Sequence, residues 1–208
     1  MIVCHNEDRA LDLALEYLKS QKIFVYPTDT LYGFGADASS VEALDKLYQL
    51  KQRPQNMPLS ILVSNIDMLK QYAELSGLTK TLIEAFLPGA LTLVLPSKSK
   101  NLPQGLYSME GYLGFRIPDH KFCSKLSHKF NSPFITTSVN ISGQAAMNDI
   151  ESIKRVFSKD VDLMIRDERL DKSKSELGST VVLIDKASNL KILREGRISE
   201  KEIRELIR

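Results

Sequence analysis

The amino-acid sequence predicts a mixed protein of the α/β (α+β) class, built on an open twisted sheet. Short apolar runs typical of buried strands are interspersed with amphipathic helical patterns over most of the 208 residues. These runs do not follow a regular strand–helix–strand alternation, so the sheet is expected to mix parallel and antiparallel strands. A hydrophobic content of 43% is ordinary for a globular protein, and the length fits one domain with a sizeable core.

Helices are predicted where apolar residues recur at helical spacing. In the first of them, Leu11 and Leu18 lie on one face. Asp119 is expected to open the fifth helix, and Ser199 with Glu202 forms a capping box at the start of the last. The predicted helices cover residues 7–20, 40–51, 66–74, 79–86, 119–130, 149–157 and 199–207.

Strands are predicted at short apolar runs bounded by turn residues. Residues 97–111 are expected to form an exposed excursion between two strands, and the charged segment 166–179 is the candidate for a flexible segment or lid. We expect one domain over residues 1–208, with about 186–208 as a candidate short extension. The predicted strands cover residues 23–26, 59–63, 91–96, 112–118, 134–138, 162–166, 179–184 and 190–194.

Charge and cysteine content restrict the classes of function. A net charge of +2 is too small to indicate nucleic-acid binding by itself. Cys4 and Cys123 form neither a disulfide framework nor a metal-binding spacing, so we expect free thiols in a reducing compartment. The N-terminus does not resemble a signal peptide, and no apolar run approaches the roughly 20 residues that span a bilayer. A cytoplasmic protein that does not enter membranes is expected.

The stretch VYPTDTLYGFGADAS, residues 25–39, fits a loose dinucleotide-binding fingerprint at its glycines. That fingerprint requires glycines directly after a strand and an acidic residue about 20 positions later. Here Pro27 to Thr30 intervene before Gly33, and the acidic residue is missing at that spacing. We therefore reject a dinucleotide site. The glycines are expected to let the chain turn away from the strand, and the polar residues before them to line a cleft.

Three further polar features each allow a structural and a functional interpretation. Lys51 and Arg53, in KQRPQNMPL, either compensate a helix C-terminal dipole or form an anion clamp. Arg116 interrupts an apolar strand, where it either makes a structural salt bridge or binds a carboxylate. The segment FITTSVNISGQ, residues 134–144, is either a turn or a set of donors for phosphate, base or ribose.

In combination, these blocks resemble the YrdC family, the threonylcarbamoyl-AMP synthases of tRNA modification. The resemblance covers almost the whole chain through PTDTLYGFGADA, KQRPQNMPLSILV, PGALTLVLP, GFRIP, TTSVNISG and, more weakly, STVVLI with ILREG. It implies a YrdC-like open twisted mixed sheet, flanked by helices around a concave basic cavity. It also implies that ATP, L-threonine and bicarbonate or CO₂ yield L-threonylcarbamoyladenylate and pyrophosphate.

The resemblance also implies partners and roles for individual residues. Downstream proteins would transfer the threonylcarbamoyl group to N6 of adenosine 37 in tRNAs that read ANN codons, and weak contact with RNA is an open expectation. ATP would enter as a substrate with Mg²⁺, without a tightly bound metal. The implied ATP-binding residues are Lys51, Arg53, Ser138, Asn140 and Arg194, of which Lys51 and Arg53 are catalytic. The implied threonine-binding residues are Thr30, Arg116, Thr136 and Ser179, with Thr28 and Tyr32 shaping the pocket.

Four positions depart from the family pattern: Met57, Leu62, Tyr112 and Ala146. They put individual nucleotide and threonine contacts in question without touching the main motifs. Two other functions stay open. One is an RNA-binding module without catalysis, and the other is the carbamoyl-adenylate chemistry of hydrogenase-maturation proteins, which are long and carry zinc-finger-like cysteines. His5, His120 and His128 are expected to be structural or on the surface, and Asp29 to orient neighbouring groups rather than act as a base.

Overall fold

A computed structural model describes residues 2–4, 7–98, 100–173 and 176–207. Within these residues the chain forms one continuous ten-stranded sheet with the order β1-β8-β2-β3-β7-β4-β6-β5-β9-β10. The strands are β1 (Ile2–Cys4), β2 (Phe24–Pro27), β3 (Tyr32–Asp37), β4 (Ser60–Leu62), β5 (Leu91–Pro96), β6 (Tyr112–Arg116), β7 (Phe134–Ser138), β8 (Leu163–Ile165), β9 (Thr180–Ile184) and β10 (Leu190–Arg194).

The sheet mixes parallel and antiparallel pairs, as the sequence predicts. Strand β4 pairs parallel to β6 and antiparallel to β7, and β5 pairs parallel to β9 and antiparallel to β6. The helices are α1 (Glu7–Lys19), α2 (Val41–Leu50), α3 (Ile66–Tyr72), α4 (Gly77–Phe86), α5 (Lys121–Phe130), α6 (Ile150–Phe157), α7 (Glu168–Asp171) and α8 (Glu200–Leu206), with a 3-10 turn at Gln104–Leu106. The prediction of an open mixed sheet flanked by helices is therefore confirmed.

Two apolar clusters cover the two faces of the sheet. The larger one includes Phe34, Ile61 and Phe115 and packs against α2, α4 and α6. The smaller one includes Phe24 and Leu126 and lies under α1 and α5. The smaller cluster covers only part of its face, and the rest of that same face, over the central strands, carries small and polar residues. No helix in the described part of the chain is long and apolar enough to cross a membrane.

The glycine-rich stretch is not a turn, which corrects our expectation. Gly33 and Gly35 lie inside β3, antiparallel to β2, where Gly35 pairs with Phe24. A Cβ on Gly35 would lie 2.7 Å from the Phe24 ring, and one on Gly33 would lie 3.3 Å from the Tyr26 ring. The glycines are therefore needed because aromatic rings of the neighbouring strand lie across them.

Three other local expectations are also corrected. Helix α5 begins at Lys121 with His120 as its N-cap, and no side chain caps it, so Asp119 does not open the helix. The 97–111 excursion is only partly exposed, because Leu106 and Tyr107 are buried in the larger cluster. Segment 166–179 contains α7, although its residues 174 and 175 lie outside the described residues.

The first part of segment 166–179 is held by hydrogen bonds to three other elements. The Tyr32 hydroxyl accepts from Asp167 N (2.8 Å) and lies 2.9 Å from both Asp167 O and Asp171 Oδ1. The same Asp171 oxygen accepts from Ile150 N at the start of α6 (3.2 Å), and His120 Nε2 lies 3.2 Å from Asp167 Oδ2. These contacts place residues 167–171 as a fixed support under β3 rather than as a free lid.

Candidate active site

Small and polar residues line one face of the central strands. In the sheet register, Ser60 lies between Thr136 of β7 and Gly114 of β6, and Gly33 pairs with Ser138. Paired residues project to the same face, so these positions form one surface opposite the large apolar cluster. A Cβ on Gly114 would approach Ser60 Oγ to 2.5 Å, so a larger residue there would displace the serine.

Arg116 ends β6 on this face and bonds to the loop between β2 and β3. Its Nη2 donates to Asp29 Oδ1 and to Thr30 Oγ1, each at 2.6 Å. Thr28 Oγ1 donates to Leu31 O (2.6 Å) and lies 3.1 Å from Thr30 Oγ1, which fixes the turn that presents Asp29. The structure therefore brings Thr28, Thr30 and Arg116 together, as predicted, and adds Asp29.

Thr136 and Ser179 are buried at two borders of the same face. Thr136 Oγ1 lies 2.6 Å from the Tyr26 hydroxyl, and Ser179 Oγ lies 2.7 Å from Thr92 Oγ1. Thr92 pairs with Arg116 in the β5–β6 register. The two hydroxyls thus lie on opposite sides of β6, each two strands away from it, as expected of polar groups at the borders of a pocket.

Lys51 is buried below the loop that follows β7. Its Nζ donates to Ser138 O (2.6 Å), Asn140 O (3.1 Å) and Asn140 Oδ1 (2.8 Å), and Ser138 Oγ donates to the same Asn140 Oδ1 (2.8 Å). Burial lowers the pKa of Lys51 to about 7, helped by the positive charge of Arg53. All three N–H donors of the ammonium group are engaged, so Lys51 fixes the backbone of residues 138–140, which we call the S-x-N loop after Ser138 and Asn140.

Arg53 and Arg194 are two further positively charged residues of this region, and Arg194 lies near both Arg53 and Arg116. Arg53 Nε donates to Met57 O (2.8 Å), and Arg194 Nη2 donates to Ser179 O (2.8 Å). Burial lowers the pKa of Arg194, and the positive charges of Arg116 and Arg53 lower it further. Arg116 and Arg53 therefore both lie close enough to Arg194 to disfavour its charge, so an anion bound beside Arg194 would relieve an unfavourable interaction.

The structure does not bring Tyr32 into this group. Side chains alternate along β3, so Tyr32 projects to the face opposite Gly33, where it joins the large apolar cluster. Its hydroxyl supports the 167–171 segment instead of lining the Arg116 pocket. The four departures from the family pattern also differ in setting: Leu62 is buried, Met57 is half exposed, and Tyr112 and Ala146 are partly exposed.

One cavity lies beside this site and not in it. It has a volume of about 330 Å³ and lies at the ends of β4 and β6, lined by Leu62, Ile117, His120 and Cys123 among others. Both cysteines are buried, and His128 bonds its own helix through Ser124 O, whereas His5 lies outside the described residues. The described residues contain no group of three or more His, Cys, Asp and Glu that could hold a metal.

Comparison with known proteins agrees with this geometry. The profile of the Sua5_yciO_yrdC family, described as "Telomere recombination", matches residues 16–196. The chain belongs to this family. A protein of Methanocaldococcus jannaschii, provisionally named a threonylcarbamoyl-AMP synthase, is 37% identical over 188 residues, which cover 88% of this chain and 86% of that protein.

Two other members of the Sua5/YrdC family extend the comparison. The threonylcarbamoyl-AMP synthase of Mus musculus is 33% identical over 190 residues, covering 90% of this chain and 67% of that protein. The crystal structure of P. abyssi Sua5 complexed with L-threonine superposes with a TM-score of 0.89 at 27% identity. That match covers 100% of this chain but only 61% of the P. abyssi chain.

Sequence reasoning missed two contributors to the site. Asp29 was assigned an orienting role without a partner, and its partner is Arg116. Arg197 was not considered, yet its guanidinium donates to Asp29 O (2.7 Å) and Thr30 O (2.9 Å). The contacts of Asp29 with Arg116 and with Arg197 each join segments that are far apart in sequence, so local patterns could not predict them. The one local indication was the position of the acidic Asp29 next to Thr30.

Proposed function

We propose that this chain is a threonylcarbamoyl-AMP synthase, a nucleotidyltransferase that makes L-threonylcarbamoyladenylate from ATP, L-threonine and bicarbonate or CO₂. The observation that carries the proposal is a sheet face of small and polar residues that is bordered by Arg116, bonded to Thr30, and by Arg194, bonded to Ser179. The names of the related family members support the same activity. We take residues 1–208 as a single domain, because β10 continues the same sheet.

The reaction joins two steps that need positioning more than a nucleophilic side chain. The threonine amine combines with bicarbonate or CO₂ to give a carbamate, and a carbamate oxygen then attacks the α-phosphorus of ATP while pyrophosphate leaves. Phosphoryl-type displacement depends on alignment and on neutralising charge. In our proposal Arg116, Thr30, Thr136 and Ser179 hold threonine. Support comes from their hydroxyl and guanidinium groups, which surround one end of the face.

The nucleotide is proposed to lie along the S-x-N loop. Ser138, Asn140, Arg53 and Arg194 would contact it, and Arg53 and Arg194 would face the developing negative charge with planar forks of donors. Lys51 would contribute its charge from behind the loop, and it would reach a phosphate directly by exchanging one of its three oxygen partners. Mg²⁺ would arrive bound to the triphosphate and would neutralise phosphate charge.

The remaining parts of the proposal follow from the reaction class. The adenylate product is reactive, so a cytoplasmic transfer system of further proteins would take the threonylcarbamoyl group to tRNA. Direct contact between this chain and RNA stays a prediction. Arg169, Lys172 and the other charges of the 166–173 segment are paired with acidic residues, and they do not argue for an RNA surface there.

The decisive experiment measures pyrophosphate release by the purified chain. We expect release only when ATP, L-threonine and bicarbonate are all present, and L-serine or L-valine should support much less. Equal release with these amino acids would contradict threonine specificity. No release at all, together with RNA binding that weakens as salt is added, would favour the RNA-binding module.

A further inference from the structure

Arg116 and Asp29 form a nearly buried ion pair inside the proposed threonine pocket. Their side chains are 10% and 11% exposed, and Arg116 Nη2 to Asp29 Oδ1 is 2.6 Å. An ion pair that is desolvated to this degree contributes little to stability by itself, because losing hydration offsets most of the attraction. A pair that only anchored the loop would be replaceable by apolar contacts, so its presence in a substrate pocket calls for a chemical reason.

The charge of this pair does not suit a simple carboxylate ligand. If Arg116 bound the substrate carboxylate alone, Asp29 would repel that carboxylate across a distance of a few Å. A zwitterion avoids the conflict, because an α-amino acid carries its ammonium and its carboxylate on one carbon. Adjacent positive and negative groups in the pocket therefore match adjacent negative and positive groups in the ligand.

We propose that Asp29 binds the α-amino group of the amino-acid substrate while Arg116 binds its carboxylate. This inference rests on the proposed function and adds the specificity-determining residue for the amine. The Asp29 Oδ1 oxygen is bonded to Arg116, whereas within the described residues no hydrogen bond involves Asp29 Oδ2. Asp29 Oδ2 is thus the acceptor for the ammonium group.

The loop that carries Asp29 is fixed from both sides, which makes it suited to recognition. Thr28 Oγ1 accepts from Thr30 N (3.1 Å) and Leu31 N (3.2 Å), and Arg197 donates to the carbonyls of Asp29 and Thr30. A carboxylate held by a preorganised turn loses little freedom when the ligand binds. The amine that must later react with bicarbonate or CO₂ would therefore be held in one place.

The test compares threonine with the same molecule without its amine. Isothermal titration of the full chain with L-threonine and with 3-hydroxybutanoate should show tighter binding of threonine by about 10- to 100-fold, the range of one hydrogen bond to a charged group. Asp29→Asn keeps an oxygen for Arg116 but removes the charge, and it should lose most of this preference. Asp37→Asn at the end of β3, where the carboxylate bonds only Ser39 among the described residues, is the matched control and should keep this preference.

Three outcomes would overturn the inference. If the wild-type protein bound threonine and 3-hydroxybutanoate equally tightly, the inference would be wrong. This result needs no variant, so it would count even if Asp29→Asn failed to fold. Asp29→Asn that binds threonine as tightly as wild type, or more tightly, would mean that Asp29 only occupies Arg116 and is displaced by the substrate. Wild-type protein that binds neither ligand would overturn the proposed function as well, whereas the first two results would leave it standing.

Discussion

Replacing Lys51 with alanine should separate catalysis from stability. The ammonium group makes three hydrogen bonds, and Asn140 Oδ1 would keep its other donor, Ser138 Oγ. Two buried carbonyls would lose their donor at about 1–3 kcal/mol each. Against this, the folded protein would no longer bury an ammonium ion, which costs several kcal/mol. The two effects largely cancel, so we expect stability to change by less than about 2 kcal/mol.

The effect of the same substitution on catalysis should be much larger. Loss of one preorganised charged donor at a reacting phosphate typically lowers the rate by about 100- to 1000-fold. We expect a loss of that size in kcat/KM for ATP, measured by pyrophosphate release with threonine and bicarbonate. Lys46→Ala on the exposed face of the same helix is the control and should stay within about twofold of wild type. Activity of Lys51→Ala within a few-fold of wild type would refute the assignment of Lys51.

The pH dependence gives a second test of Lys51. Only the ammonium form can donate to three oxygens, and burial lowers its pKa to about 7 from an ordinary value of 10.5. The active form therefore predominates well below pH 7 and is lost as the pH rises through 7. We expect kcat/KM for ATP to fall over that range, whereas Lys51→Arg, charged at every accessible pH, should lack this decline. A wild-type profile that stays flat to pH 9 would contradict the role of the charge.

Three further predictions concern other parts of the molecule. Gly35→Ala should destabilise the protein by about 1–3 kcal/mol in a denaturant titration, because the added methyl group meets the Phe24 ring. The control, Gly77→Ala at the start of α4, adds a methyl group in open space and should not destabilise the protein. Equal effects of the two substitutions would contradict the packing argument. Arg194→Ala should raise KM for ATP about tenfold while KM for threonine changes little, and the reverse pattern would move Arg194 to the threonine end. Cys123, whose pKa burial raises far above its ordinary value, should resist iodoacetamide until the protein unfolds, and rapid native alkylation would count against its burial.

All helices except α7, and most strands, were predictable because local patterns determine them. Helix α2 follows the spacing of Leu44, Leu47 and Tyr48, and Ser40 caps it, accepting from Ala43 N at 3.1 Å. Ends shifted by one or two residues, as expected where a strand or helix frays. These elements could be predicted because their signal lies within a dozen neighbouring residues.

Strand β3 escaped prediction because its signal is tertiary. Gly33 and Gly35 have a low propensity for strands. The sequence around them does not indicate that aromatic rings of β2 would clash with larger side chains at these positions. The same limit applies to the site. The motifs identified Thr30, Arg116 and Lys51, but the ion pair of Arg116 with Asp29 joins residues 87 positions apart. The direction of the Lys51 ammonium, into the loop rather than towards open solvent, also depended on the folded backbone.

The hydrogen bonds from Arg197 to the carbonyls of Asp29 and Thr30 have a consequence for protein synthesis. The two ends of the longer bond are 167 residues apart, so the loop is translated well before the arginine that supports it. A nascent chain could complete β2 and β3 long before Arg197 leaves the ribosome. The amino-acid pocket would then acquire its final geometry only after Arg197 has emerged, which delays substrate binding until the ten strands that precede this arginine have been made.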